Sequence, residues 1–406
     1  MIAHDETPSG LSALGKALLL LAVLVAGGLR WHQAVLEDYI KPDETVYVHA
    51  AELWSAGKSP YEESIFFYPP VFAWAASELT DIFGTLGYLK IQRASSLMGI
   101  CLATWLAVVI AAWRWWPALL LSVAWLWLSP VVALPMAIGN ATGLSTALTL
   151  ACLCFWLRQP IAAGSALGLG QALKPIAPLA ALYFLAYRQG ANPRRAFQTG
   201  AASLVAGGLL LLVGLRYLPG MLGNATGSGH QPYNFSLHRV LAGFGVPIRP
   251  VWIVAIVGLT GLWWIARQRL SKLEFLVAVL VLNLFAAPIL WAHSLLLFLP
   301  VQLLAVAQII RSGRSIRSIR SGRSGRSGRS GRSIRSGALG WRATLPHIVA
   351  GLAIASTVLS ASIGGLAAAP AWIQSAVLTV PLLSLPYLGA YVLGGLRAQR
   401  RLSQPE

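Results

Sequence analysis

Apolar runs of about twenty residues recur from residue 17 to residue 396, and this spacing limits the chain more than any other feature does. A hydrocarbon slab about 30 Å thick takes roughly 20 residues of helix to cross, and inside it only helices or closed barrels satisfy the backbone. Hydrophobic residues make up 56% of the 406 and charged residues 11%, an apolar content well beyond that of a soluble domain. The fold class read from this is an all-α polytopic membrane protein, with residues 1–406 forming a single integral-membrane domain. The first run lacks a small-x-small cleavage site before the charged stretch that follows, so it is expected to be a retained anchor.

The net charge of +18 resembles that of nucleic-acid binders, but its distribution points elsewhere. Arg and Lys gather in short connections: Arg158, residues 188–195, 267–272, 311–335 and 397–401. The positive-inside bias puts those connections in the cytoplasm, and no nucleic-acid partner is expected. With them fixed inside, spans are predicted at 17–35, 93–113, 117–136 and 141–157. Two short helices within 161–187 are predicted to meet near Lys174 and Pro175. Further spans fall at 201–217, 251–266, 273–290, 294–310, 348–368 and 372–393. The count is about twelve transmembrane helices, with both ends inside.

Nine of the thirteen acidic residues lie between Glu37 and Asp81, on the outer side in this topology. Carboxylates near hydrocarbon are costly unless they face water or a cavity, so such a cluster either solvates a loop or builds a site. Residues 37–92 form a long external loop in which 45–56, ended by Gly57, and 69–83 are predicted as amphipathic interfacial helices. A second external loop, 218–250, is Gly-rich, with Arg216 and Arg249 at its edges and His230, His238 and Arg239 between. Residues 311–337 repeat Arg, Ser and then Gly or Ile, with nine arginines. Lacking an apolar face, they are expected to be a disordered cytoplasmic loop. It is either a tolerated expansion or a contact for anionic headgroups at about 1 kcal/mol per Arg.

Asp43 follows Pro42 and precedes an amphipathic helix whose N-terminus favours an ionised carboxylate. Capping that helix and serving as a fixed base both suit it. Lys174, a cation inside an apolar segment, is expected either to point into a cavity or to pair with Glu78 or Asp81. Cys101, Cys152 and Cys154 sit inside apolar runs without framework or ligand spacing. There is no Asp-x-Asp and the histidines are scattered, so no metal is expected.

The ordered set Asp43, Tyr47, Ala50-Ala51, Gly57, Pro60-Tyr61 and Phe67-Tyr68-Pro69-Pro70 resembles the opening of the bacterial glycosyltransferase family 87. These are multi-spanning GT-C enzymes that use polyprenyl-phosphate sugars. Gly139-Asn140 is similar to the family's Gly-Gln or Gly-Asn before a span. The run from Ala163-Gly164 through Leu167-Gly168 to Ala172-Leu173-Lys174-Pro175 resembles its Gly-rich run ending in Ala-Leu-Lys. Asn234-Phe235-Ser236-Leu237 and Pro288-Ile289-Leu290-Trp291-Ala292-His293 resemble its later loop and its Pro-Ile-Ser-Trp-x-His signature. Glu44 departs from an often apolar position, and Leu290 from a small serine.

The resemblance implies a GT-C-type fold and makes 37–92 the catalytic loop. Asp43 matches the family's catalytic aspartate, and His293 matches a histidine near the donor phosphate. Lys174 and Arg239 are further candidates for that phosphate. Tyr47, Tyr61, Tyr68 and Trp291 offer faces and hydroxyls to sugar and acceptor, or else form an interfacial aromatic belt. The implied reaction is transfer of a hexose, mannose in the first place, from a polyprenyl phosphate to a glycolipid or glycan acceptor. Asp43 would act as general base in one inverting displacement.

No cofactor is expected beyond the polyprenyl-phosphate sugar as co-substrate. The partners are that donor, the acceptor and membrane lipids. The expected location is the cell membrane, with an extracytoplasmic active site. Alternative readings are an arabinofuranosyl donor, a lipid-linked sugar flippase, or a noncatalytic assembly factor held to the membrane by the Arg repeat.

Overall fold

Ser12 accepts the Gly15 N–H at 3.1 Å and so starts the first helix, α1, Ala13–Leu36. The protein is seen here in a computed structural model, which describes residues 11–110, 115–128, 130–176, 180–186, 193–227 and 257. Eighteen or more apolar residues in one helix leave no polar face, and Leu14, Leu21 and Leu29 of α1 are 69, 58 and 67% exposed. Side chains of this kind belong in lipid rather than water. The membrane expectation therefore rests on outward apolar surface as well as on composition.

Helix α2, Pro42–Ser55, begins with proline at its first position, where a missing N–H costs nothing. It ends before Gly57, whose φ of 70° suits glycine alone among common residues. A 3-10 turn, Pro60–Glu62, leads through Tyr68 and Pro69 to α3, Pro70–Ile110. Inside α3 the backbone leaves helical geometry at Gly84, with φ 71° and ψ 164°. This break separates the predicted interfacial helix from the predicted span. Helix continues from Gly84 through Arg93, the residue at which the span was expected to begin, and Arg93 finds buried partners there.

The following helices are α4, Trp115–Leu128, α5, Pro130–Ile138, α6, Thr142–Phe155, α7, Pro160–Leu173, α8, Ala180–Ala186, and α9, Pro193–Leu211. A 3-10 stretch, Leu212–Tyr217, continues into α10, Leu218–Gly227. Helix α7 stops at Leu173, and Lys174 and Pro175 stand outside helix, as predicted for two short helices meeting there. The segment expected as the external loop 218–250 opens on helix. Residues 218–227 are helical, because they continue the apolar run and pack on the acidic loop. Residues 228–250, the spans predicted from 251 onward and the Arg repeat lie outside the described residues.

Four helical stretches among the described residues are long and apolar enough to cross a membrane: Ala13–Leu36, Pro70–Val109, Ala118–Ile138 and Pro193–Asn224. No strand occurs among the described residues. Small residues bring these helices close, as in membrane bundles generally. A Cβ at Gly143 of α6 would lie 2.1 Å from the Ser96 carbonyl oxygen of α3. Indole N–H groups tie backbones across helices: Trp31 donates to the Leu126 carbonyl at 3.1 Å and Trp105 to that of Lys16 at 2.9 Å. The close α3–α6 contact fixes the turn at residues 139–141, on which the site depends.

Candidate active site

The first turn of α2 decides which carboxylate is available. Lys41 holds the N-cap position, and its N–H donates to Glu44 Oε2 at 2.8 Å, while the Glu44 N–H donates to the Lys41 carbonyl at 3.0 Å. Glu44 therefore does the capping work that the sequence offered to Asp43. Asp43, half-buried, instead accepts from the Asn140 side-chain amide, Nδ2 to Oδ2 at 2.5 Å.

Asn140 is buried at a turn made possible by Gly139, whose φ is 76°. Its carbonyl oxygen Oδ1 accepts from Lys174 Nζ at 2.8 Å, from the Thr142 N–H at 3.0 Å and from the Thr142 hydroxyl. Donors on one edge and a carboxylate on the other fix the amide orientation unambiguously. Lys174 Nζ also donates to Thr142 Oγ1 at 2.8 Å and to the Tyr68 hydroxyl at 3.1 Å. It lies 4.9 Å from the Tyr68 ring centroid. Carboxylate and ammonium thus share one amide, and Lys174 finds these partners instead of the alternatives foreseen in Glu78 and Asp81.

The tyrosines build the wall of this cluster. The hydroxyls of Tyr47 and Tyr68 are 2.6 Å apart, and the Tyr61 hydroxyl donates to the Tyr68 carbonyl at 2.7 Å. Their rings pack edge-on or tilted with Phe66 and Phe72 at centroid distances from 4.6 to 5.7 Å. All three tyrosines are buried and their rings pack mainly on Phe66 and Phe72, so what Tyr47 and Tyr68 bring to the cluster is their hydroxyls. Segment 212–227 covers this wall. Tyr217 packs on Trp54 at 5.4 Å, and Asn224 Nδ2 donates to the carbonyls of Tyr61, Glu63 and Phe66 at 3.3, 3.0 and 3.3 Å.

Burial pushes the Asp43 carboxyl above its ordinary value, and the Glu44 charge adds to the rise. The Asn140 hydrogen bond and the Lys174 charge oppose it. Burial likewise raises the Tyr47 and Tyr68 hydroxyls, which keeps both neutral donors at physiological pH. The arrangement is a desolvated carboxylate held by one oxygen, with an ammonium and neutral hydroxyls beside it. Such a group can accept a proton from an incoming hydroxyl while positive charge nearby offsets a departing anion.

Of the residues singled out in the sequence, the structure brings Asp43, Lys174, Tyr47 and Tyr68 together and places Tyr61 behind them. His293, Arg239 and Trp291 lie outside the described residues. Sequence reasoning missed the roles of Asn140 and Thr142, although Gly139-Asn140 carried a signal as a turn before a span. It also missed the partner of Glu44, which is Arg93. Among the described residues no three His, Cys, Asp or Glu side chains gather as metal ligands do.

The family model for glycosyltransferase family 87 matches residues 66–300. "GPI mannosyltransferase 1" of Aspergillus fumigatus is 30% identical over 213 residues, which cover 50% of this chain and 49% of the fungal one. The match thus spans about half the length of that relative. "Polyprenol-phosphate-mannose-dependent alpha-(1-2)-phosphatidylinositol mannoside mannosyltransferase" of Mycobacterium tuberculosis is 27% identical over 338 residues, 72% of this chain and 77% of its own. No solved structure matches.

Proposed function

The chain belongs to glycosyltransferase family 87, and from that premise we propose that it transfers mannose from a polyprenyl phosphate to a lipid or glycan acceptor at the outer face of the membrane. The observation that carries the mechanism is the pairing of Asp43 and Lys174 across one Asn140 amide, at the end of helices that read as facing outward. The names of both relatives support mannose over arabinofuranose, and that of the mycobacterial one supports the polyprenyl-phosphate donor.

In the proposed reaction Asp43 takes the proton of the acceptor hydroxyl as its oxygen attacks the anomeric carbon. The bond from that carbon to the phosphate oxygen breaks, and the electron pair leaves with the polyprenyl phosphate. One displacement inverts a β-linked donor to an α-mannoside, as one displacement inverts configuration in hydrolases that activate water. Lys174 would offset the phosphate charge, with His293 and Arg239 joining it, and Trp291 would face the sugar. No step requires a metal ion. Tyr47 and Tyr68 would orient the donor through their hydroxyls, with Tyr61 holding Tyr68 in place.

The test is transfer of labelled mannose from synthetic polyprenyl-phosphate mannose to a membrane-lipid extract by purified protein, with wild type compared to Asp43→Asn. Transfer that collapses by about 10² to 10⁴ in the variant, with donor binding kept, supports the reading. Undiminished transfer by Asp43→Asn would assign the base elsewhere. Movement of donor across vesicles without transfer would favour a flippase, which has no need of a base.

A further inference from the structure

Asn140 is fixed from both sides. Its N–H donates to the Pro135 carbonyl at 2.8 Å, its own carbonyl accepts from Ser96 Oγ at 2.7 Å, and the preceding Gly139 carbonyl accepts from Gln92 Nε2 at 3.1 Å. A side chain so held has little freedom, and its amide spans two groups of opposite charge. One edge donates to Asp43 Oδ2 and the other accepts from Lys174 Nζ. Among the described residues Asp43 Oδ1 receives no hydrogen bond.

The geometry points to Asn140 as a positioning residue: its amide holds the carboxylate of Asp43 and the ammonium of Lys174 apart and in register, leaving Oδ1 as the oxygen that takes the acceptor proton. An amide does this with one donor edge and one acceptor edge. A carboxylate could not donate to Asp43, an ammonium or guanidinium could not accept from Lys174, and an apolar residue would let base and cation close on each other. A base in direct contact with a cation is a weaker base. This inference rests on the reading of Asp43 as the base in mannosyl transfer. The charged and titratable groups facing Asp43 are Glu44 on its own helix, Lys174 after α7, and the hydroxyls of Tyr47 and Tyr68.

The experiment compares wild type, Asn140→Asp and Asn140→Ala as full chains in detergent, with folding checked by thermal unfolding. Asp43 is titrated by infrared difference spectroscopy of its carboxyl band, identified by its loss in Asp43→Asn. The same proteins are assayed for kcat and donor KM with polyprenyl-phosphate mannose. In Asn140→Asp two carboxylates face each other and cannot both ionise, so the Asp43 midpoint is expected to rise by about one pH unit or more. kcat is expected to fall about 10²-fold with donor KM nearly kept, the pattern of a misaligned base. In Asn140→Ala the midpoint is expected to move as well, with the same loss of kcat.

A midpoint and kcat unchanged in a folded variant would overturn the proposal, since a merely structural amide leaves both in place. If Asn140→Asp does not fold, Asn140→Ala decides by the same two readouts. The titration needs no substrate. Absence of mannosyl transfer by wild type would therefore overturn the functional reading, while the placing of Asp43 by Asn140 would stand or fall on its own.

Discussion

Arg93 grips Glu44 through two parallel hydrogen bonds, Nε to Oε1 and Nη2 to Oε2, each 2.7 Å, with both side chains shut away from solvent. The same guanidinium donates to the carbonyls of Glu37 and Tyr39 in the connection between α1 and α2. Glu44 directly follows Asp43, so the pair fastens the first turn of α2 to α3. A buried ion pair tolerates loss of both partners better than loss of one.

Arg93→Met is accordingly expected to strand a buried carboxylate and destabilise the protein by about 3 to 5 kcal/mol. The double variant Arg93→Met with Glu44→Leu should be markedly less destabilised than either single change. Thermal unfolding of the four proteins in one detergent measures this cycle. Additive losses would show that the pair is not coupled.

Gly139 is expected to tolerate no side chain. A Cβ there would lie 2.3 Å from Glu44 Oε1, and the backbone φ of 76° already disfavours any residue with one. Gly139→Ala should cost about 1 to 3 kcal/mol from the backbone alone. It should also lower transfer, because the displaced Glu44 carries Asp43 with it. A variant with wild-type melting temperature and turnover would contradict the geometry.

The pH dependence follows from burial of Asp43. A general base works in its ionised form, and this carboxyl titrates above its ordinary value of 3.8. kcat/KM should therefore fall as pH falls through that raised value, with the slope of a single proton. The stability sign is opposite: a carboxyl raised in the fold contributes stability that is present at low pH and lost as pH rises through the folded pKa. Asp43→Asn should thus lose transfer at neutral pH without losing stability. A melting temperature well below wild type at neutral pH would mean that the carboxylate is chiefly structural.

How far these features were legible in the sequence depended on the range of the interaction. Apolar runs predicted α1, α6 and the paired helices meeting at Lys174, because lipid solvation acts on each segment alone. Apolar spacing ended by Gly57 marked α2 for the same local reason, although the expected start at 45 falls three residues after the observed one. What stayed hidden was pairing at a distance. Nothing near Glu44 in the chain announces Arg93, and nothing near Asp43 announces Asn140, 97 residues on. Capping and base both stayed open for Asp43 because Asp43 and Glu44 each suit a helix N-terminus, and only tertiary contact with Asn140 separates them. The tyrosines stayed open between sugar contact and an aromatic belt because burial by Phe66, Phe72 and segment 212–227 is invisible to local pattern.

Lys174 supplies a discriminating prediction, because its neighbours include two hydroxyls and one amide oxygen that accept from its ammonium. A compact charge with three donors matches Tyr68, Asn140 and Thr142, whereas the planar fork of arginine does not. Lys174→Met should raise donor KM and lower kcat/KM by about 10²-fold if the charge meets the departing phosphate, and Lys174→Arg should recover little of the loss despite keeping the charge. Affinity for polyprenyl phosphate without sugar, measured by titration, separates the two roles of this lysine. A phosphate ligand loses that affinity in Lys174→Met, while a lysine that only braces Tyr68 and Asn140 leaves it intact and lowers kcat alone.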